Sequence, residues 1–235
     1  MHEEITGVAE AWVEGWVVSR GAAPPVPEPG GGFRVDVGLE HHVTRYVLPR
    51  PEEALVRGIS RKRAAPGVWI KTFAPPETLA PWLPPGWSFD DPGFLMSAAL
   101  RRTPAGDAPE GYRLRVWTRG GVTRALVHAP DGSFAARGQI AAPAPTSSRP
   151  AAFVVDQVET SARHRRLGLG ALVMRTLANT AVEAGATTGV LGATVDGRAL
   201  YESLGWRVHA PLTGLVFGRP AATAPVPGGT AASRV

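Results

Sequence analysis

Apolar and polar residues along this chain recur with two different periods, which together predict a protein of mixed helices and strands. Ile5, Trp12 and Trp16 recur at helical spacing, so residues 3–20 are predicted to form an amphipathic helix with a tryptophan-rich inner face. Apolar residues alternate over 33–39, which predicts a strand. Further strands are predicted over 43–48, 67–73, 93–100, 112–118, 122–129, 133–142, 151–160, 187–194 and 206–218, and short helices over 51–59, 76–83 and 197–205.

A turn rich in arginine and glycine connects the strand predicted over 151–160 to a long apolar helix predicted over 167–184. The first amides of a helix have no partner within the helix and lie at its positive dipole end. Gly168 and Gly170 allow a ligand to come close to the main chain, and Arg165 or Arg166 can add charged hydrogen bonds. The pattern predicts a cradle for a pyrophosphate.

Two common phosphate-binding loops do not fit this turn. A Walker A loop requires Gly-Lys followed by Ser or Thr, which is absent here. The dinucleotide fingerprint requires a third glycine at the start of the helix, where this chain has Val173.

A third family does fit: "RRLGLGALV" resembles the acyl-CoA-binding motif Arg/Gln-x-x-Gly-x-Gly/Ala of the GNAT superfamily of N-acetyltransferases, with Arg165, Gly168 and Gly170 at its positions. The later stretch "ALYESLGW" is similar to the Leu-Tyr-x-x-x-Gly-Phe signature of the same family. The resemblance covers roughly residues 112–218. It implies an α/β fold with a mixed, mostly antiparallel, strongly twisted sheet flanked by helices.

The resemblance also implies a cosubstrate, acetyl-CoA, and the residues that bind it. In GNAT enzymes the strand before the motif pairs with the pantetheine arm, and the amides of the turn hold the pyrophosphate. A tyrosine in the later signature acts as general acid toward the departing sulfur; here it is Tyr201. The implied binding residues are Val158, Glu159 and Thr160 for pantetheine, and Arg165, Arg166, Leu167, Gly168, Leu169, Gly170 and Ala171 for the pyrophosphate.

The function implied is direct transfer of an acetyl or other acyl group to a primary amine of a small molecule or peptide. A CoA-binding sensor or pseudo-enzyme without turnover is the alternative, and a structural or partner-binding module is a third. No metal is implied. Thr194 departs from the family, because many members have an asparagine seven residues before the tyrosine.

Acyl transfer requires that an amine with a pKa of about 10 lose a proton, so a base or a water chain is expected. Asp156 is the first candidate, because strict alternation places it on one strand face with Val158 and Thr160. Glu159 would point away unless a bulge reverses the order, and His128 is a third candidate. Ordered water replaces a side-chain base in several members of the family.

Residues 80–92 and 199–211 share an aromatic residue, a Gly-Trp pair and a closing proline at the same spacing, 119 residues apart. An internal duplication is therefore predicted, with a first half over 1–105, a second half over 106–219, and a disordered tail over 220–235. The first half is expected to be a degenerate copy that forms the acceptor side of a groove between the halves. Its positions equivalent to Gly168, Gly170 and Tyr201 hold Pro49, Pro51 and Trp82. Five tryptophans either line that groove or belong to the core: Trp12, Trp16, Trp69, Trp82 and Trp87.

Composition narrows the function classes further. The 235 residues include no cysteine, so disulfides, thiolate metal sites and cysteine nucleophiles are excluded. The net charge of +5 comes mostly from scattered arginines, so no nucleic-acid partner is expected, and the six histidines lack metal-ligand spacing. No long apolar run or signal peptide is seen, which predicts a cytoplasmic protein with no membrane partner. Monomer and homodimer both remain open.

Overall fold

The computed structural model describes residues 2–142 and 152–218. The predicted tail over 220–235 lies outside these residues. The elements up to Ala99 are α1 (His2–Arg20), β1 (Val26–Pro27), β2 (Phe33–Leu39), β3 (His42–Leu48), α2 (Glu53–Lys62), β4 (Val68–Thr72), α3 (Pro76–Leu79), a 3-10 turn (Ala80–Trp82), β5 (Trp87–Phe89) and β6 (Gly93–Ala99). Those after it are β7 (Arg113–Arg119), β8 (Val122–His128), β9 (Phe134–Ala141), β10 (Ala152–Thr160), a 3-10 turn (Ala162–His164), α4 (Leu169–Glu183), β11 (Thr188–Thr194), α5 (Val195–Ser203) and β12 (Arg207–Phe217).

Every long element predicted from periodicity is present, with ends that differ by a few residues. The pattern did not predict the short strands β1 and β5, because two or three residues among prolines and glycines show no alternation. The last predicted segment, 206–218, is one continuous strand.

The strands form one mixed sheet in the order β1-β2-β3-β4-β12-β6-β11-β10-β9-β8-β7, and β5 also pairs with β12. The pairs β3–β4 and β10–β11 are parallel and the others are antiparallel. Each parallel pair is connected through a helix, α2 or α4, as parallel strands require. The predicted α/β class with a mostly antiparallel sheet is confirmed.

The two halves repeat one order of elements and exchange their last strands. Strand–helix–parallel strand–short helix–strand occurs from β3 to β5 and again from β10 to β12, which supports the predicted duplication. Strand β6 of the first half lies between β11 and the beginning of β12, where Met96 pairs with Leu191 and Val208. The end of β12 lies in turn between β4 and β5, where Leu215 pairs with Ile70 and Phe89. The boundary near residue 105 stays a prediction, since in space each half is completed by a strand of the other.

Helices cover both faces of the second half's sheet. On β10, Val155 packs in the core beneath α4, whereas its neighbour Val154 packs in the core beneath α1. Trp12 and Trp16 of α1 are buried in the second of these cores. The first half has a third core beneath α2, which includes Trp82 and Trp87, so these two do not line a groove between the halves.

The exchange of strands predicts that the two halves unfold together. Leu215→Ala removes a fully buried side chain from the part of β12 that lies between strands of the first half. We expect its free energy of unfolding to fall by about 2–5 kcal/mol with one transition retained. Urea unfolding followed by tryptophan fluorescence and by far-UV circular dichroism measures both properties.

The matched control is Leu39→Ala, because Leu39 is 62% exposed. We expect this variant to change the free energy of unfolding by less than about 0.5 kcal/mol. Two separate transitions in Leu215→Ala would contradict the interleaved arrangement.

Candidate functional site

Strands β10 and β11 separate in the middle of the second half's sheet. Their parallel pairing ends at Val155 and Leu191, although β10 continues to Thr160 along β9 and β11 continues to Thr194 along β6. Beyond Val155, the edge of β10 that faces β11 therefore pairs with no strand of the described ranges 2–142 and 152–218. A gap of this kind can accept an extended ligand as an added strand.

A β-bulge in β10 coincides with this separation. Gln157 has a positive φ of 53°, and the register with β9 shifts between Asp156 and Glu159. After the bulge, Val158 packs toward α4 and Thr160 lies near Gly170 at the start of that helix.

Asp156 lies on the opposite side, in contact with α1. The prediction that Asp156, Val158 and Thr160 share a face is therefore wrong, because the extra residue of the bulge reverses the alternation. Glu159 is exposed and bonds to Arg137 of β9, with Arg137 Nε donating to the carboxylate at 3.1 Å.

The turn between β10 and α4 presents a row of main-chain amides. Arg166 and Gly168 both have positive φ, 64° and 74°, a conformation that glycine adopts freely and arginine rarely. Alternation of this kind turns successive amides toward one concave space. The first main-chain hydrogen bond of α4 is from Leu172 to Gly168.

No amide from 165 to 171 donates a hydrogen bond to an acceptor within residues 2–142 and 152–218. Arg165, Arg166, Leu167 and Gly168 are exposed, whereas Leu169 is buried in the core. The predicted cradle is therefore an open set of donors, and no group of the described protein occupies it.

Gly170 lies where α4 passes close to α5 and to the end of β10. A Cβ atom at this position would lie 3.0 Å from Leu200 Cδ2 and 3.5 Å from Thr160 Oγ1. A larger side chain here would push into the space between the cradle and α5.

Tyr201 lies on α5 with only 7% of its surface exposed, and its ring packs against Trp206 at 6.2 Å between centroids. Burial first, and then the negative charge of Asp156, raise the pKa of Tyr201 to about 12. The hydroxyl makes no hydrogen bond within the part of the chain that the structure describes. Thr194 begins the same helix, and its Oγ1 accepts a hydrogen bond from the Gly197 amide at 3.1 Å.

Asp156 is held by α1. Arg20 donates to it from Nε at 2.5 Å and from Nη2 at 2.9 Å, and Ser19 Oγ donates at 2.7 Å. The amide of Gln157 also donates to its carboxylate at 2.9 Å. The side chain is 9% exposed, so this ion pair ties the C-terminal end of α1 to the bulge.

The equivalent turn of the first half has proline at two positions. Residues 49–52 connect β3 to α2, and Pro49 and Pro51 have no amide hydrogen to donate. Trp82 occupies the place of Tyr201 in the repeated order.

A basic and aromatic cluster lies on the α1 side of the sheet, where the first half meets α1. We call it the Arg45 cluster; its members are Trp16, His42, Arg45, Trp69 and Lys71. The guanidinium carbon of Arg45 lies 4.0 Å from the Trp16 ring centre, and Arg45 Nε donates to His42 Nε2 at 3.1 Å. The His42 ring lies between the rings of Trp16 and Trp69, at 5.9 and 5.2 Å. Lys71 Nζ pairs with Asp90 at 3.0 Å.

Burial and crowding of positive charge lower the pKa of every base in the Arg45 cluster. Burial first, and then Arg45, lower the pKa of His42 to about 3. Burial first, and then Arg20, lower the pKa of Arg45 to about 9, so it is still charged at neutral pH. Burial first, and then Arg45, lower the pKa of Lys71.

Sequence reasoning missed the Arg45 cluster as a site. One signal in the sequence could have indicated it. By alternation along β3, Arg45 lies on the same face as Val47, and it pairs with Val35 of β2. All three residues are buried, and a charged residue is rare at such a position. Trp12 and Trp16 are buried in the core beneath α1, which is one of the two alternatives predicted for the tryptophans, and Trp69 is half-buried beside His42.

Within residues 2–142 and 152–218, no group of three or more His, Asp or Glu side chains is placed to hold a metal ion. None of the described helices is long and apolar enough to cross a membrane.

Comparison with solved structures identifies the fold. A GCN5-related N-acetyltransferase from Kribbella flavida superposes with a TM-score of 0.63 at 19% identity, over 92% of this chain and 96% of that chain. This chain has the GNAT fold. The sequence matches no protein-family model and no curated protein.

Two further solved structures with the GNAT fold are similar over nearly their whole length. A tandem GNAT protein from the clavulanic acid biosynthesis pathway has a TM-score of 0.52 at 14% identity, over 93% of this chain and 96% of that chain. A GCN5-related N-acetyltransferase from Sphaerobacter thermophilus has a TM-score of 0.52 at 13% identity, over 92% and 94%. The GNAT fold that the motif at Arg165 predicted is thus confirmed. The structural similarity also extends over the first half of the chain.

The low pKa of His42 predicts a loss of stability in acid. Its folded value of about 3 lies below the ordinary 6.5, so below pH 6.5 the unfolded chain binds a proton that the native chain does not. Stability falls as the pH drops from 6.5 toward 3. We expect His42→Gln, which keeps an acceptor for Arg45, to reduce the loss between pH 7 and pH 5 by up to about 2 kcal/mol. Urea unfolding at the two pH values measures it.

His41→Gln is the matched control, because His41 is adjacent and exposed. An equal loss of stability in the wild type and in His42→Gln would show that His42 is not held in its neutral form.

Proposed function

We propose that this protein is an N-acetyltransferase that moves an acetyl group from acetyl-CoA to a primary amine of a small molecule or peptide. One observation carries the proposal: among residues 2–142 and 152–218, the amides of 165–171 have no acceptor and the nearby edge of β10 has no strand partner. The GNAT fold supports it, since the similar solved structures include proteins named N-acetyltransferases.

In this proposal the two open features bind the two parts of the CoA chain. The amides of Arg165, Arg166, Leu167, Gly168, Leu169, Gly170 and Ala171 hold the pyrophosphate, with charged hydrogen bonds added by the arginines. The main chain of Val158, Glu159 and Thr160 pairs with pantetheine in the gap between β10 and β11. The thioester would then lie near the place where the two strands part.

Tyr201 is suited to assist the departure of sulfur. The neutral amine nitrogen attacks the thioester carbonyl carbon and forms a carbon–nitrogen bond, and its proton passes to water at the gap. The carbon–sulfur bond breaks, and its electron pair leaves with sulfur as a thiolate. A hydroxyl with a pKa of about 12 carries its proton at any physiological pH, so it can donate to that sulfur as general acid and recover a proton from water.

The contacts of Asp156 favour a positioning role. Its carboxylate accepts from Arg20, Ser19 and the Gln157 amide, so it holds α1 against the bulge and offers little free capacity to an amine. Its predicted role as base stays a prediction, as do those of Glu159 and His128. A water chain at the gap would serve the same purpose.

A CoA-binding sensor without turnover is the second candidate. The same open amides would bind CoA in that case. The ion pair between Arg20 and Asp156 favours this function over a transferase that uses a side-chain base. Release of free thiol in the presence of an amine panel distinguishes the two functions.

Gly170→Asp tests the cradle. The new side chain would add bulk near Leu200 and negative charge where the diphosphate is expected. We expect acetyl-CoA at 100 times its dissociation constant to stabilise the wild type by about 2.7 kcal/mol, and Gly170→Asp to lose this stabilisation. Isothermal calorimetry and thermal unfolding with acetyl-CoA measure it.

Gly58→Asp is the matched control. Gly58 lies on α2, the equivalent helix of the first half, and no atom lies within 4 Å of an added Cβ. Wild-type affinity for acetyl-CoA in Gly170→Asp would place the cosubstrate elsewhere.

Tyr201→Phe tests the general acid. Because the hydroxyl makes no described hydrogen bond, its removal should leave the melting temperature and the acetyl-CoA dissociation constant unchanged. We expect kcat for thiol release to fall by about 100-fold. Steady-state kinetics across pH, beside calorimetry, measures both properties.

Tyr46→Phe is the control for this experiment, because Tyr46 is equally buried but lies in the core of the first half. An unchanged kcat in Tyr201→Phe would remove Tyr201 from the mechanism and leave the CoA site standing.

A further inference from the structure

Arg45 is a buried cation without an acidic partner. Only 8% of the residue is exposed, and no carboxylate of the described ranges 2–142 and 152–218 lies within 4.0 Å of its guanidinium nitrogens. An unpaired buried charge costs several kcal/mol, so proteins ordinarily pair it or use it to bind a ligand.

The acidic residues near Arg45 are already engaged by other cations. Asp90 pairs with Lys71, and Asp156 pairs with Arg20. His42 accepts from Arg45 Nε as a neutral ring, so it contributes no negative charge. Each of these two carboxylates is therefore bonded to a cation other than Arg45.

The two outer nitrogens of Arg45 are not sealed inside the protein. Among the described residues, the buried side-chain atoms without a partner are Arg34 Nε and Thr176 Oγ1, and no atom of Arg45 is among them. His42 accepts a hydrogen bond from Nε. The Nη groups have no partner among the described residues and are not among these buried atoms, so they face a space that solvent can reach. The rings of Trp16 and Trp12, at 4.0 and 5.9 Å from the guanidinium carbon, fix the plane of the fork.

The Arg45 cluster adjoins the gap between β10 and β11 on the side away from α4. Arg20, which pairs with Asp156 beside the gap, lies 5.9 Å from the centre of the Trp16 ring on which Arg45 stacks. The Trp12 ring, 5.9 Å from the Arg45 guanidinium, reaches β11 at the level of the gap, since its Nε1 would lie 3.5 Å from a Cβ on Gly192.

We propose that the Nη groups of Arg45 bind a carboxylate of the acceptor, so that the substrate class is an amine that also carries a carboxylate. This inference rests on the proposed acetyl transfer and names its acceptor. A planar fork with free Nη groups matches a carboxylate in two parallel hydrogen bonds. A carboxylate would supply the direct anionic partner that Arg45 does not have among the described residues, and the rings of Trp12 and Trp16 would lie beside the carbon chain.

The first experiment measures thiol release from acetyl-CoA with a series of ω-amino carboxylates of increasing chain length, each beside the n-alkylamine of equal length. We expect kcat/KM to favour the carboxylates by about 10- to 100-fold in the wild type, the range for a buried charged hydrogen bond. Arg45→Met, similar in length and uncharged, should abolish the preference. Arg45→Lys should recover it only in part, because an ammonium group cannot form the fork.

Arg61→Met is the matched control, because Arg61 lies exposed on α2. We expect it to keep the preference. Replacement of an unpaired buried arginine by methionine tends to be neutral or stabilising, and thermal unfolding of Arg45→Met verifies that the variant folds.

The second experiment does not depend on turnover. Calorimetry with CoA present compares the N-acetylated ω-amino carboxylates with their carboxamides, in the wild type and in Arg45→Met. Binding of the carboxylates alone, lost in Arg45→Met, supports the inference even if no thiol is released and the transferase proposal fails. Equal binding of carboxylate and carboxamide, or no binding of either, overturns the inference. Turnover that prefers plain alkylamines overturns it while the transferase proposal stands.

Discussion

The separation of β10 from β11 after Val155 and Leu191 is the constraint on which the candidate site depends. A continuous ladder at this place would satisfy the main chain of both strands and leave no room for a ligand. The bulge at Gln157 breaks the ladder with β9 at the same level and turns Val158 toward α4. Asp156, before the bulge, keeps the side of Val154 and pairs with Arg20 of α1.

The exchange of strands between the halves allows the first half to contribute to the proposed acceptor site. Because β6 and β12 each pair with strands of the other half, β3 and β4 are held at a fixed place beside α1. Arg45, His42 and Lys71 extend from these two strands toward the helix. A duplicated half that had lost its own cradle, at Pro49 and Pro51, could in this arrangement keep a role as the wall opposite the cosubstrate.

The buried charges of the Arg45 cluster lower the stability of the protein, which indicates a role other than packing. Burial lowers the pKa of His42 and of Arg45, and the neighbouring cations lower both further. A core built for stability alone would place apolar side chains at these positions, since a buried charge is rarely stabilising. The Arg45 cluster is thus one of the places where local chemistry departs from the rules of packing, as functional sites commonly do.

The sequence by itself determined most of the elements and the cradle. Periods of two and of three to four residues mark strands and helices through local geometry, and Gly168 and Gly170 mark a turn that a larger side chain would distort. Tertiary structure decided the rest, because it depends on contacts between residues far apart in the chain. The bulge reversed the faces predicted for Val158 and Thr160, the pair with Arg20 tied Asp156 to a helix over a hundred residues away, and packing of the first half against α1 placed Arg45 on the Trp16 ring. No local pattern records which strand enters the neighbouring sheet, since that choice is made by packing of the whole core.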